Sequence, residues 1–117
     1  MSTRGRGAQV ERAACKLLQK QGLQHLQSNF RAKTGELDLI MRDADCVVFV
    51  EVRYRRSTRF GGAAGSIDRR KQQRLRRTAD FYLSRHPKLA QQPCRFDVVC
   101  ASGSLEDPDF EWIRRAF

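Results

Sequence analysis

The segment Cys46-Val47-Val48-Phe49-Val50-Glu51-Val52-Arg53-Tyr54 constrains the fold more than any other stretch of the chain. β-Branched residues follow one another without the polar alternation of a half-exposed strand, so the segment reads as a strand buried on both faces. Such a strand needs cover on each side, which points to a sheet flanked by helices. The segment before it, Glu36-Leu37-Asp38-Leu39-Ile40-Met41, alternates as a second strand. Residues 42–45 between them are turn-like, so the two strands should pair as a hairpin.

The remaining elements follow from periodicity. Val10, Ala13, Ala14, Leu17 and Leu18 fall at helical spacing over residues 8–21, and Gly22 is placed to end that helix. Residues 25–31 read as a strand, with Leu26 and Phe30 on one face, and 32–35 as a turn. After a loop over 57–66, Ser66 is the expected N-cap of a helix running to about Arg85. Pro87 and Pro93 bracket a linker, residues 94–101 form another strand, and 110–113 a short final strand or turn. The expected fold is α/β, in the order α-β-β-β-α-β, a mixed central sheet flanked by helices. With 117 residues the chain suits one domain, expected over 8–117 behind a basic arm of residues 1–7.

Charge narrows the function. Residues 53–88 hold twelve basic side chains and two acidic ones, Asp68 and Asp80, which accounts for the whole net charge of +10. A field of that sign and density favours polyanions, and nucleic acid is the expected partner, DNA before RNA. No apolar run approaches the roughly 18 residues needed to span a bilayer, and the N-terminus has no apolar stretch of signal-peptide type. The expectation is a cytoplasmic protein without a membrane partner. Cys15, Cys46, Cys94 and Cys100 form no C-x-x-C pair and lie far from His25 and His86, so they read as reduced, mostly buried thiols rather than a zinc site.

Two carboxylates stand where strands seldom tolerate them, Asp38 between Leu37 and Leu39, and Glu51 between Val50 and Val52. Burying an isolated charge is unfavourable unless it is paired or bound to a cation. A turn centred between Ala44 and Asp45 places Asp38 opposite Glu51, with Cβ atoms about 5 Å apart on one face. Arg53, two residues beyond Glu51, shares that face. Adjacent carboxylates repel each other, and a divalent cation relieves the repulsion; hard oxygen donors suit Mg²⁺ or Mn²⁺. A cross-strand salt bridge from either acid to Arg53 is the competing reading. Glu11 lies at the edge of the buried stripe of the first helix, within reach of the sheet near the metal, or else is a solvated helix acid. Lys71 falls about 40° from Ile67 on the second helix, inside the stripe of Ile67, Leu75, Thr78, Ala79, Phe81 and Tyr82. A lysine there needs an acidic partner, a phosphate or a path to solvent. The stretch Gly61-Gly62-Ala63-Ala64-Gly65-Ser66 could offer backbone N–H groups to a phosphate or be a simple connector; it lacks the ending of a P-loop.

Gly35-Glu36-Leu37-Asp38-Leu39-Ile40, Val48-Phe49-Val50-Glu51-Val52-Arg53-Tyr54-Arg55, Phe60-Gly61, Lys71 and Arg95-Phe96-Asp97-Val98-Val99 together resemble the small bacterial YraN family. The resemblance runs from about Gly7 to the C-terminus. It implies an endonuclease-like core similar to the restriction-endonuclease fold and to archaeal Holliday-junction resolvases, and with it a D…E-x-K pattern in which the acids bind Mg²⁺ and the lysine assists the attacking water. Asp38 and Glu51 match the acids and Glu11 the helix glutamate of the resolvases. Arg53 stands at the lysine position, where it stays protonated and cannot act as a general base, though it can stabilise transition-state charge. Lys71 could supply the amine from the helix. The resemblance also implies a homodimer.

The expected function is a Mg²⁺- or Mn²⁺-dependent endonuclease hydrolysing phosphodiester bonds. Asp38 and Glu51 would be its metal ligands, with Arg53, Glu11 and Lys71 completing the site. Arg55, Arg56, Arg59, Arg69, Arg70, Arg74 and Arg77 would bind flanking phosphates. A catalytically inactive nucleic-acid-binding module on a nuclease-like scaffold is the alternative, and an RNA- or ribosome-associated factor fits the basicity alone.

Overall fold

A two-residue turn at Ala44 and Asp45 sets the register of the whole sheet. Ala44 takes a left-handed φ of 54°, and β2 (Gly35–Asp43) and β3 (Cys46–Arg55) run back antiparallel from it. They pair Asp43 with Cys46, Met41 with Val48, Ile40 with Phe49 and Leu39 with Val50, the register read from the sequence. The computed structural model describes residues 3–55 and 67–117, with side chains from Gly7 onward. Around this hairpin lie α1 (Thr3–Lys20), β1 (Gln24–Ala32), α2 (Arg69–Ser84), α3 (Pro87–Ala90), β4 (Cys94–Gly103) and β5 (Pro108–Ile113).

The five strands form one mixed sheet in the order β1-β2-β3-β4-β5. Only β3 and β4 are parallel, Phe49 lying beside Phe96 and Glu51 beside Val98. A parallel neighbour requires a crossover, and α2 lies on the chain between these two strands. The two faces of β3 are both covered, as its composition requires. Val48 and Val50 pack with Ala14 and Leu18 of α1, while Val47 and Phe49 pack with Leu75, Ala79 and Tyr82 of α2. The result is an α/β architecture with a mixed sheet between helices.

Several boundaries differ from expectation. Helix α1 starts at Thr3, so residues 3–7, read as a basic arm, are backbone-helical. The N-cap of α2 is Asp68, whose carboxylate accepts the Lys71 N–H at 2.8 Å. Ser66, the expected cap, and the Gly-rich stretch 61–66 lie outside the described residues, as do Arg56 and Arg59. The segment between Pro87 and Pro93 contains the short helix α3 instead of a plain linker. Phe81, placed on the buried stripe by the helical wheel, is 40% exposed. Its ring stands at the edge of the stripe, 6.1 Å from Phe30 and under the Arg85 guanidinium. All four cysteines are free, Cys100 buried but Cys94 exposed. Among the described residues no helix is long and apolar enough to cross a membrane.

Candidate active site

The β2–β3 ladder ends one step short of Asp38 and Glu51. Its last pair is Leu39 with Val50. Beyond that, Asp38 Oδ2 accepts the Val52 N–H at 2.9 Å, so a side-chain carboxylate takes over the role of a strand carbonyl. The burial pattern resets at the same residue. Leu39 and Met41 pack into the α1-side core, whereas Leu37 packs into the α2-side core. Strand β1 shifts register between His25 and Gln27, and Asn29, between the pairs Ser28–Leu39 and Phe30–Leu37, adopts φ 54°. Asn reaches that region more readily than most residues. From there its Nδ2 donates to Glu11 Oε1 at 2.7 Å and to Glu36 Oε1 at 3.2 Å.

Glu51 is buried, 7% exposed, and its Oε2 lies 2.5 Å from Lys71 Nζ. The lysine sits in the first turn of α2, so its aliphatic stem follows the stripe facing the sheet while 38% of its side chain remains exposed. Asp38 and Glu51 press on each other. Burial, then the Glu51 charge, then a hydrogen bond shared with Glu51 push the Asp38 carboxyl up to about 8, against the opposing pull of the Val52 N–H. At neutral pH, and without a cation, Asp38 therefore holds a proton beside the Glu51 carboxylate. Glu11 joins the group from α1, hydrogen-bonding Asp38. Its carboxyl is raised chiefly by burial, the Asn29 bond opposing and the Glu36 and Glu51 charges adding to the shift.

These acids open into a cleft of about 490 Å³ between the β1–β2 turn and α2, lined by Lys33, Glu36, Asp38, Glu51, Lys71 and Arg74. Thr34 and Thr78 join hydroxyls across its end at 2.8 Å. Gly35 lies there with φ 149°, and a Cβ on it would stand 3.3 Å from Thr78 Oγ1. Arg69, Arg70 and Arg77 are exposed on α2, as is Arg74 at the cleft. Arg53 and Arg55 are half-buried on β3 beyond Glu51. Their charges pull the Cys100 thiol down, against a larger upward push from burial.

The structure thus brings Glu11, Asp38, Glu51 and Lys71 together, with Arg53 two residues along the same strand. Asn29, Lys33, Glu36 and Thr78 belong to the same site and were not singled out by sequence reading. Only Glu36 carried a usable signal, standing two residues before Asp38 in one strand. Asp97 was likewise missed as a structural centre. Fully buried, it accepts hydrogen bonds from Arg95, from Trp112 Nε1 at 3.0 Å and from the Arg115 N–H at 3.0 Å, binding β4 to β5 and the C-terminus.

Among the described residues no group of three His, Cys, Asp or Glu side chains is arranged to hold a metal ion. A divalent cation would therefore meet two carboxylates, Asp38 and Glu51, and fill its shell with water and substrate oxygens. Mg²⁺ commonly binds in that way, keeping several waters. Adjacent carboxylate oxygens of Asp38 and Glu51 that open into a cleft are hard donors, and such a set fits an ion of that kind.

The chain is an α/β protein built on a five-stranded mixed sheet, and its relatives carry the same length of sequence. It is 55% identical over 112 residues to a UPF0102 protein of Xanthomonas euvesicatoria pv. vesicatoria, covering 96% of this chain and 90% of that one. It is 53% identical over 118 residues to a UPF0102 protein of Nitrosomonas europaea, covering 100% of this chain and 98% of the relative. A UPF0102 protein of Stutzerimonas stutzeri is 49% identical over 111 residues, covering 95% and 92%. Residues 10–101 match the family described as "Uncharacterised protein family UPF0102". The chain belongs to that family, the YraN family to which its motifs pointed.

Proposed function

We propose that the protein binds nucleic acid and hydrolyses its phosphodiester bonds with the help of a divalent cation. The observation that carries this reading is the adjacent pair of half-buried Asp38 and buried Glu51, inside a cleft whose walls supply Lys33, Lys71 and Arg74. Two abutting carboxylates are a poor structural choice in a core and a good one for holding Mg²⁺ or Mn²⁺. When bound there, the cation would lower the pKa of a coordinated water and offset charge on the phosphate. The chain's own groups do the rest. Asp38 gives up its proton to become a ligand. Lys71, already ion-paired with Glu51, is placed to face a phosphate oxygen. Arg53 offers a guanidinium that can stabilise the developing negative charge. Glu11 is oriented by Asn29 and remains close enough to Asp38 to influence its proton. The exposed arginines of α2 suit flanking phosphates, DNA before RNA.

The test is a cleavage screen of single-stranded, duplex and branched substrates with Mg²⁺ and with Mn²⁺, run alongside Asp38→Asn and Glu51→Gln. Metal-dependent cleavage lost in both variants supports the reading. Arg53, at the position where a nuclease of this pattern has lysine, favours a second reading, a binding module without hydrolytic activity. Nucleic-acid affinity with no response of Asp38 or Glu51 resonances to Mg²⁺ would establish it instead. The homodimer implied by the resemblance is tested by light scattering of the free protein.

A further inference from the structure

A second groove, of about 330 Å³, lies between α1 and the edge strand β1. Arg12, Lys16, Gln19, His25 and Ser28 line it, and Glu11 and Asn29 form its inner wall. The same Asn29 amide bridges Glu11 to Glu36, which belongs to the cleft containing Asp38 and Glu51. Asn29 and Glu11 thus link the walls of the two depressions. Their charge is arranged symmetrically, with carboxylates at the centre, Lys33, Lys71 and Arg74 on one flank and Arg12 and Lys16 on the other.

Arg12 and Lys16 are one helical turn apart on α1, about 6 Å along the axis, a spacing comparable to that of successive phosphates on a strand. Both are exposed, and no ion pair to either occurs among the described residues. Glu11, the one acid in the groove, is occupied by Asn29. His25 Nε2 is 2.8 Å from Ser28 Oγ, which adds two polar groups to the floor.

We propose that the α1–β1 groove is a phosphate-binding subsite, in which Arg12 and Lys16 hold the backbone of a nucleic-acid strand that continues past Asp38 and Glu51. This rests on the function proposed above and extends it. The strand would cross the acids from the α2 arginines to α1 and be gripped on both sides of the bond to be broken. Arg12 and Lys16 belong to α1, which packs on the opposite face of the sheet from α2.

The experiment is fluorescence anisotropy of a labelled single-stranded oligonucleotide, without divalent cation, over a salt series. It compares the wild-type protein with the Arg12→Gln, Lys16→Gln double variant. An Arg114→Gln, Arg115→Gln double variant, altered at two exposed positions outside residues 53–88, serves as a control of equal charge. Each phosphate contact contributes about 0.7 to the salt slope on single strands. The groove variant should therefore lose about 1.4 from its slope. Its deficit in affinity should shrink about sevenfold between ~50 and ~200 mM salt, while the control keeps the wild-type slope. A groove variant that matches wild type or control in affinity and slope overturns the subsite and leaves the Asp38 and Glu51 reading standing. Wild-type protein with no affinity for the oligonucleotide at any salt overturns both.

Discussion

Replacing Asp38 by Asn should raise thermal stability, by a margin that grows as pH rises from about 4 to about 8. In the folded protein its carboxyl is pushed up to about 8, against an ordinary value of 3.8. Between roughly pH 4 and pH 8 the folded state therefore holds a proton that the unfolded chain lacks, and stability declines as pH rises through that window. Each tenfold difference in proton affinity is worth about 1.4 kcal/mol, so the gap sets a ceiling of about 6 kcal/mol. Relaxation around the pair, with the Lys71 ammonium 2.5 Å from Glu51, reduces the expected penalty to roughly 2–3 kcal/mol. Asn keeps an oxygen to accept the Val52 N–H, made at 2.9 Å in the wild type, and turns an N–H rather than a charge toward Glu51. For a domain of this size the gain corresponds to roughly 5–10 °C in Tm. Thermal melts followed by circular dichroism in EDTA should show that gain near pH 9 and little of it near pH 4, where the window begins. Excess Mg²⁺ should then stabilise the wild type and leave the variant unmoved. A variant that melts lower than wild type, and by the same margin at both pH values, would refute the reasoning, because it would mean that Asp38 is held by favourable contacts and not by strain against Glu51.

Lys71→Ala should tighten Mn²⁺ binding in calorimetry, since the ammonium no longer competes for Glu51, and should abolish cleavage in single-turnover assays; cleavage at the wild-type rate removes the lysine from the chemistry. Arg53→Lys should preserve or raise cleavage, and a fall to background would show that the guanidinium itself is required. Asp97→Ala should cost about 3–5 kcal/mol, because Arg95 loses its buried partner and already has one guanidinium nitrogen, Nη2, with no hydrogen-bond partner among the described residues; urea unfolding followed by the fluorescence of Trp112, the single tryptophan, measures it, and a loss under 1 kcal/mol contradicts it. Gly35→Ala should destabilise by about 1–3 kcal/mol, as an L residue is forced to a φ of 149° with its Cβ 3.3 Å from Thr78 Oγ1; chemical denaturation against wild type decides.

The parts of this protein that depend on neighbours in sequence are legible without coordinates. A β-branched run buried on both faces required a covered sheet, and the short turn at Ala44 and Asp45 determined the pairing that brings Asp38 to Glu51, because a side-chain period of two leaves one register for a given turn. The same arithmetic on α2 pointed Lys71 at the sheet. Tertiary structure decided what those residues meet. That Lys71 reaches Glu51 depends on how the crossover lays α2 across β2 and β3, a matter of packing over tens of residues. That Asp38 bonds the Val52 N–H, Asn29 turns to φ 54° and Leu37 changes face all belong to the opening of the ladder at Asp38. Strand periodicity cannot foresee that opening, because it assumes the ladder continues. Asp97 looked like one more acid in a strand, and only the approach of Arg95, Trp112 and the Arg115 backbone made it the buried anchor of β4. The groove beside α1 has the same origin. Arg12 and Lys16 read as ordinary helix cations until the fold sets them beside Glu11 and Asn29, since charge separation in space is determined by the packing of elements and not by their order along the chain.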